Sequence, residues 1–390
     1  MTGPGTGLHS PARATSGTTA VVDVGGTHLR RGLWSPESGL RDVQVVPSPG
    51  LRQHPGVPVA RLRRMLVELV AEAVPPGSPA GVSVGAALDH RDGVVLASAP
   101  LWGDDDSPFD LLGALRRARP DVTWTVLNDV TAALVHLLQS PQARSSRKVM
   151  VVTVSTGVAC RVADRRTGTV PLDGRGLQGE IGHLPVGVVV DGVPLTLRCE
   201  CGRLGHLAAC SSGPGIRRTA VALAQREPAR WQRSLLRPGL DDPDRFDAAF
   251  AAALAAGDPC AADLLTAVTR PIADVLRIAL CLDPELDVIA LTGGVATALA
   301  EPYLAAVRGH LAEQGLYLTD AVPGGWSARR ITVAAAGGAD PLIGAGIAAS
   351  GAGQVPAWAT QPEAGPQPEA GPPSDSGTPV PGGSPAQVPA

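Results

Sequence analysis

Lysine is almost missing from this chain. Among 33 basic residues in 390, only Lys148 is a lysine. A P-loop ends in Gly-Lys-Ser/Thr because its lysine must reach the phosphates, whereas Lys148 sits in Ser-Ser-Arg-Lys-Val-Met. The nucleotide sites of P-loop NTPases and protein kinases are therefore excluded. Aromatic residues make up only 3 %, and the net charge is −3. Few stacking platforms and no basic excess argue against a nucleic-acid-binding protein. No run of 18 uncharged apolar residues exists, so no membrane span is expected. Met1–Thr19 lacks an apolar stretch behind a basic start, so no secretory leader is expected either.

What the chain does have is core-forming sequence. Hydrophobic residues make up 44 %, and the length suits two packed lobes. The six cysteines are Cys160, Cys199, Cys201, Cys210, Cys260 and Cys281. A chain of this size needs no disulfide staples, and Cys199-Glu200-Cys201 is too tight for a structural bridge. A reducing, cytoplasmic setting follows.

Residues 1–18 are rich in Gly, Pro, Ser and Thr, and the stretch 351–390 is similar, with a tandem Gln-Pro-Glu-Ala-Gly-Pro at 361–372. Such sequence buries too little apolar surface to order itself, so both are expected to be disordered tails. The body opens on an apolar strand, Thr19-Ala-Val-Val-Asp-Val, which runs through Gly25-Gly26-Thr27 into Leu29–Trp34, a hairpin. Arg61–Val74 has helical apolar spacing. Strands are expected at Ala80–Ala87 and Val122–Leu127, with a helix at Val130–Leu138. The second half repeats the plan: a strand at Lys148–Val154, a long helix at Ala261–Cys281, a strand at Val288–Leu291 and a last helix at Ala339–Ala349. Two related α/β lobes with a cleft between them are implied, at 19–128 and 129–338, with a closing helix at 339–350 that returns to the first lobe. Parallel sheets of this kind bind ligands at strand C-terminal ends.

Four motifs carry candidate chemistry. Asp23-Val-Gly25-Gly26-Thr27 offers a tight turn whose backbone N–H groups approach phosphate oxygens with no Cβ in the way. Asp23 is placed to hold Mg²⁺ through water and Thr27 to add a hydroxyl; a plain hairpin turn accounts for the same residues. Asn128-Asp129 ends a strand and opens a helix. A carboxylate there can take a proton from a substrate hydroxyl while Asn128 orients the substrate; an Asp N-cap accounts for it too. Next, Gly179-Glu180-Ile-Gly-His183 is followed by Cys199-Glu-Cys201-Gly-Arg-Leu-Gly-His206. His183, Cys199, Cys201 and His206 supply the four donors of a closed structural Zn²⁺ site, with Cys210 a substitute ligand and unliganded thiols the plainer alternative. Finally, Thr156-Gly157 and Gly293-Gly294 follow strands and can face nucleotide phosphates, although such turns are ordinary punctuation singly.

In this order, together with Leu342-Ile-Gly-Ala345, these motifs resemble the ROK family of repressors, open reading frames and kinases, over about residues 19–350. The resemblance implies an actin-like, hexokinase-like ATPase fold of two duplicated RNase H-like lobes. It implies ATP and Mg²⁺ in the cleft against Asp23, Gly25, Gly26, Thr27, Thr156, Gly157, Gly293 and Gly294. Asp129 then looks like the general base that takes the proton of a primary hydroxyl as that oxygen attacks the γ-phosphorus. Gly85, Asn128, Asp129, Glu180 and His183 would bind the substrate, with His183 also a zinc ligand in an insertion at 179–210. A homodimer is the usual assembly of such proteins.

The departures fall on the acceptor side. His206 stands where the family has a third cysteine, and Ala208 where it has a sugar-binding glutamate. The Pro-Gly-Pro segment reads Gly85-Ala-Ala-Leu88, and the glycine-rich run after Thr-Gly reads Val158-Ala-Cys-Arg161. Two acceptors follow: a hexose or N-acylhexosamine phosphorylated at its 6-hydroxyl, ranked first, and a C7-cyclitol of the valiolone type phosphorylated at its 7-hydroxyl, which keeps the primary hydroxyl and alters the ring. A catalytically silent sugar sensor is the rival class. Only 18 residues precede the first strand, so no DNA-binding winged helix is expected.

Overall fold

The computed structural model describes residues 17–351, apart from 168, 171–172, 191 and 318–324, together with 357–358. The N-terminal tail before Gly17 and nearly all of the C-terminal tail lie outside the described residues, including all of the separate unit Thr360–Ala390.

Two sheets share one plan. In the first, β1 (Thr19–Val24), β2 (His28–Ser35) and β3 (Gly39–Pro47) form an antiparallel meander, and β4 (Ala80–Val84) and β5 (Trp124–Asn128) add in parallel, in the order β3-β2-β1-β4-β5. In the second, β6 (Lys148–Val154), β7 (Val158–Asp164) and β8 (Thr169–Val170) are antiparallel, and β9 (Val288–Thr292) and β10 (Ile331–Val333) add in parallel on the other side of β6, in the order β8-β7-β6-β9-β10. Such a duplication places the two hairpin turns, Gly25–Thr27 and Ser155–Gly157, at equivalent points. One element departs from the expected tail: β11 (Ala357–Trp358) pairs in parallel with β8.

Sequence dictates these elements directly. β1 and β6 are runs of Val, Ala, Thr and Met with β-branched residues dominant, and nearly every position is buried, as strands covered on both faces should be. Helix α1 (Val59–Glu72) buries Leu62, Leu66 and Val70 at helical spacing. The expected strand at 80–87 ends at Val84, and Ala87–Asp89 belongs to a separate small antiparallel sheet. Helix α2 (Leu111–Ala118) is N-capped by Asp110.

Helix α3 (Asp129–Leu137) is buried on nearly every side and packs against both sheets and against α6 (Pro341–Ser350). Helix α6 returns to β1, β2 and β4. Close approach needs small residues: a Cβ on Gly344 would overlap the Ala132 carbonyl of α3. The largest core lies around α4 (Pro259–Leu282), where Leu264, Val268, Ile272 and Leu276 join Phe246, Phe250 and Tyr303.

Candidate active site and metal cluster

The turn expected to face the nucleotide comes first in the chain. Asp23 lies at the cleft end of β1. Its Oδ2 accepts from Arg30 Nε at 3.1 Å and Nη2 at 2.8 Å, and its Oδ1 from Ser83 Oγ at 2.8 Å. Arg30 also donates to both carboxylate oxygens of Asp340, the N-cap of α6. Burial raises the Asp23 pKa, and Arg30 opposes it. Asp23 is therefore one end of a three-residue ion-paired chain, a feature the sequence did not reveal. At the turn itself, Gly25 N–H closes onto His28 O at 3.0 Å, so it is already spent as a donor. Gly26 is glycine because Pro100 packs where its Cβ would lie. Thr27 accepts from Ser48 N through its carbonyl.

The other turns belong to the second sheet. Ser155 N–H bonds Gly157 O at 2.9 Å; Thr156 is exposed, and a Cβ on Gly157 would meet open space. Gly293 has φ +90°, and a Cβ there would lie 2.5 Å from Val154 O, so only glycine fits. Gly294 opens helix α5 (Gly294–Gln314), whose N-cap is Gly293 with no side-chain cap. A cavity of about 200 Å³ is lined by Arg30, Thr292, Gly293, Thr297, Gly337 and Asp340.

At the end of β5 stand Asn128 and Asp129, the expected acceptor-binding pair. The N-cap of α3 is Asn128, not Asp129: Asn128 Oδ1 accepts from Val130 N at 3.0 Å and Thr131 N at 3.2 Å. Asn128 Nδ2 donates to Ala86 O at 2.9 Å, and the residue is 2 % exposed. Its side chain thus shapes the site by holding the 85–88 turn onto α3. Asp129 is left free for chemistry. Its Oδ1 accepts from Val130 N at 2.9 Å. Gly85 lies beside it, such that a Cβ there would be 3.5 Å from Asp129 Oδ2. Burial, then the charge of Asp23, push the Asp129 pKa up to about 7, with Glu180 adding to the rise and Arg161 opposing it. A carboxylate poised there is matched to proton abstraction near neutrality. Glu180 is itself raised by burial, with Arg161 again opposing.

Arg161 had no assigned role in the sequence, yet it is 2 % exposed beside both carboxylates. Two further residues nearby were missed, His90 and Asp173. Burial, then Arg161, push the His90 pKa down to about 4. Its Nδ1 and Asp173 Oδ1 are buried without a partner among the described residues.

The four candidate metal ligands come from two segments. Glu180 precedes a short 3-10 turn, Ile181–His183, and Leu207 N bonds back to Leu184 O at 2.9 Å. Cys199 N bonds Arg203 O at 2.8 Å and Gly202 N bonds Cys199 O at 2.9 Å, closing a knuckle around Cys201. The ligand atoms of His183, Cys199, Cys201 and His206 all lie within 4.8 Å of one another. His183 Nδ1 and His206 Nδ1 are 3.4 Å apart, and Cys201 Sγ is 3.3 Å from His206 Nδ1. Tetrahedral Zn bonds of about 2.0–2.3 Å set neighbouring ligands roughly 3.3–3.8 Å apart, so these residues fit the ion. Cys210 does not join them; its Sγ contacts Leu207 O and Ser211 Oγ.

Comparison with known proteins agrees with this geometry. The sequence matches the ROK family over residues 19–351. The chain belongs to the ROK family. It is 57 % identical over 338 residues to a 2-epi-5-epi-valiolone 7-kinase of Actinoplanes sp., covering 87 % of this chain and 94 % of that one. It is 32 % identical over 313 residues to a C(7)-cyclitol 7-kinase of Streptomyces hygroscopicus subsp. jinggangensis, covering 77 % and 85 %. An N-acetylmannosamine kinase of Escherichia coli is 30 % identical over 300 residues, covering 76 % and 89 %. Among solved structures, a ROK family glucokinase from Streptomyces griseus in complex with glucose and AMPPNP superposes with a TM-score of 0.66 at 22 % identity, covering 85 % of this chain and 99 % of that one. The actin-like, hexokinase-like fold and the assignment to the kinases of this family stand. Among the described residues, no helix is long and apolar enough to cross a membrane.

Proposed function

We infer that this ROK family kinase transfers the γ-phosphoryl group of Mg-ATP to the exocyclic primary hydroxyl of a C7-cyclitol of the valiolone type. The observation that carries the acceptor is the likeness to the Actinoplanes kinase, which runs through nearly the whole folded body. This reverses the ranking the sequence suggested, in which a hexose came first. A hexose fits the same base and turns and remains the second reading, favoured by the likeness to the N-acetylmannosamine kinase.

The residues then take these roles. The acceptor lies against Gly85, Asp129, Glu180 and His183. Asp129 takes the hydroxyl proton as the oxygen–phosphorus bond forms and the bond to ADP breaks. Phosphoryl transfer asks the protein mainly for positioning and charge compensation. Gly26, Thr27, Thr156, Gly157, Gly293 and Gly294 would surround the phosphates, with Asp23 turned toward the Mg²⁺ that arrives with ATP and Arg30 beside it. Zinc, held by His183, Cys199, Cys201 and His206, would supply no chemistry of its own, since four protein ligands leave no open position. It would fix the loop that presents Glu180, a supporting role. All six cysteines are free, which supports a reducing, cytoplasmic setting.

A coupled ADP-release assay with Mg-ATP tests this reading. It would compare 2-epi-5-epi-valiolone with glucose, mannose, N-acetylglucosamine and N-acetylmannosamine. The cyclitol should have the highest kcat/KM. A hexose ahead of it would establish the second reading, and sugar binding without any ADP release would establish the silent sensor.

A further inference from the structure

Arg161 is one of the largest fully buried side chains in the protein. It projects from β7, and two of its three bonds leave that strand for other segments. Nε donates to Thr131 Oγ1 at 3.2 Å, two residues past Asp129 on α3. Nη1 donates to Cys160 O at 2.8 Å and to Gln178 O, in the loop that leads to Glu180. Gly179, at φ +75°, is bare because a Cβ would overlap both this guanidinium and Cys160 O. Thr131 Oγ1 continues the chain to His90 Nε2 at 3.5 Å, at the end of the 87–89 strand. A buried charge is costly, and an apolar side chain of similar volume would fill a strand interior as well or better. The guanidinium instead joins the helix that starts at Asp129 to the loop before Glu180, and through Thr131 it reaches His90 at the end of the 87–89 strand.

We propose that Arg161 is a positioning residue for phosphoryl transfer, one that fixes the Gln178–Glu180 loop against the Asp129 helix and so sets the spacing of the two carboxylates that hold the acceptor. This role rests on the kinase reading above. The loop has one further tie to β7, Cys160 N to Gly179 O at 2.8 Å. Loss of Arg161 therefore leaves the loop attached to its own strand and releases it from α3. The Asp129 and Glu180 carboxyls also lose the buried positive charge that opposes their mutual repulsion. Misplacement of reacting groups by about 1 Å costs about 10²-fold in rate. Thr156-Gly157 leads into β7, but no hydrogen bond of Arg161 reaches it, and the Gly25–Thr27 and Gly293–Gly294 turns lie on other segments, so nucleotide binding should change little.

The test uses the full chain with its zinc content measured. Arg161→Ala, Arg161→Lys and Thr131→Val are compared with the native protein in steady-state kinetics with Mg-ATP and 2-epi-5-epi-valiolone. The ratio of ADP released to cyclitol phosphate formed is read in parallel. Arg161→Ala should raise the acceptor KM and lower kcat by about 10–10²-fold. The KM for ATP should stay within about twofold, zinc should be retained, and the ratio should exceed unity as water competes for the phosphoryl group. Arg161→Lys should recover part of the loss. If Arg161→Ala does not fold, Thr131→Val decides, since it removes the Nε acceptor and the Oγ1 contact to His90 while keeping the guanidinium and the side-chain shape: a raised acceptor KM or raised ratio supports the role, and native kinetics overturns it. Arg161→Ala that loses activity only in proportion to its folded fraction, with both KM values and the ratio unchanged, overturns it as well. A native protein that phosphorylates no cyclitol and no sugar would instead remove the kinase reading, and this role with it.

Discussion

Replacing Asp129 by Asn separates the general base from every structural duty of the residue. Asn keeps the shape and the Oδ1 atom that accepts from Val130 N, and the cap of α3 is made by Asn128. The helix should therefore survive unchanged. With the Asp129 pKa at about 7, the residue is about one-tenth ionised at pH 6 and mostly ionised at pH 8. Native kcat/KM for the acceptor should fall about tenfold per unit below neutrality, and this limb should vanish in the variant. Where Mg-ATP is bound, its Mg²⁺ shifts the limb to lower pH, because a nearby cation favours the carboxylate. Asp129→Asn should lower turnover by about 10²–10⁴-fold.

The stability sign is opposite to the activity sign. A carboxyl whose folded pKa is raised from 3.8 to about 7 contributes stability that is full below about pH 4 and lost as pH rises through about 7. At pH 8 the native protein bears the cost of an ionised buried carboxylate. Three units correspond to about 4 kcal/mol as an upper bound, so Asp129→Asn should melt a few degrees higher at pH 8, and the gain should shrink toward pH 4. Thermal melts across pH and steady-state kinetics check both limbs. A variant that turns over normally refutes the base assignment. A variant that is slow and also less stable at pH 8 refutes the account of Asp129 as a strained catalytic carboxylate.

Other substitutions probe separate parts. Cys199→Ser and His206→Ala should each abolish stoichiometric zinc by elemental analysis, lower Tm, and raise acceptor KM more than ATP KM; full activity in metal-free protein would contradict the supporting role of the knuckle. Gly293→Ala forces a Cβ into Val154 O at positive φ and should cost about 1–3 kcal/mol, with ATP KM raised and acceptor KM little changed, as kinetics and denaturant melts would show. Gly344→Ala wedges α6 from α3; it should destabilise the fold by a similar amount, read as a lower denaturation midpoint.

The sheets were legible because local sequence decides them. Val-Val-Met-rich runs end in glycine turns, and the same order recurs in both halves. The Cys/His cluster was legible for the same reason, since Cys199, Cys201 and His206 sit within one knuckle and only His183 comes from elsewhere. Arg30 and Arg161 were not. Arg30 reads as an ordinary outward residue of a strand until α6 brings Asp340 to it across 310 positions. Arg161 reads as a departure from a glycine run, and only the packing of α3 and the 178–180 loop shows why a cation is buried there. Asn128 was legible as a site residue, but its amide serves the turn and the helix cap, which spacing alone does not distinguish from substrate binding. The pairing of Ala357–Trp358 with β8 had no signal in the Pro- and Gly-rich sequence around it.

The most direct measurement of the central claim is the structure of the product. The native protein would be incubated with Mg-ATP and an equimolar mixture of 2-epi-5-epi-valiolone and glucose, and the phosphate located by phosphorus–proton coupling. The account predicts one major product, the cyclitol with phosphate coupled to its exocyclic CH₂ protons, absent with Asp129→Asn. Glucose 6-phosphate as the major product, or phosphate on a ring hydroxyl of the cyclitol, would contradict it.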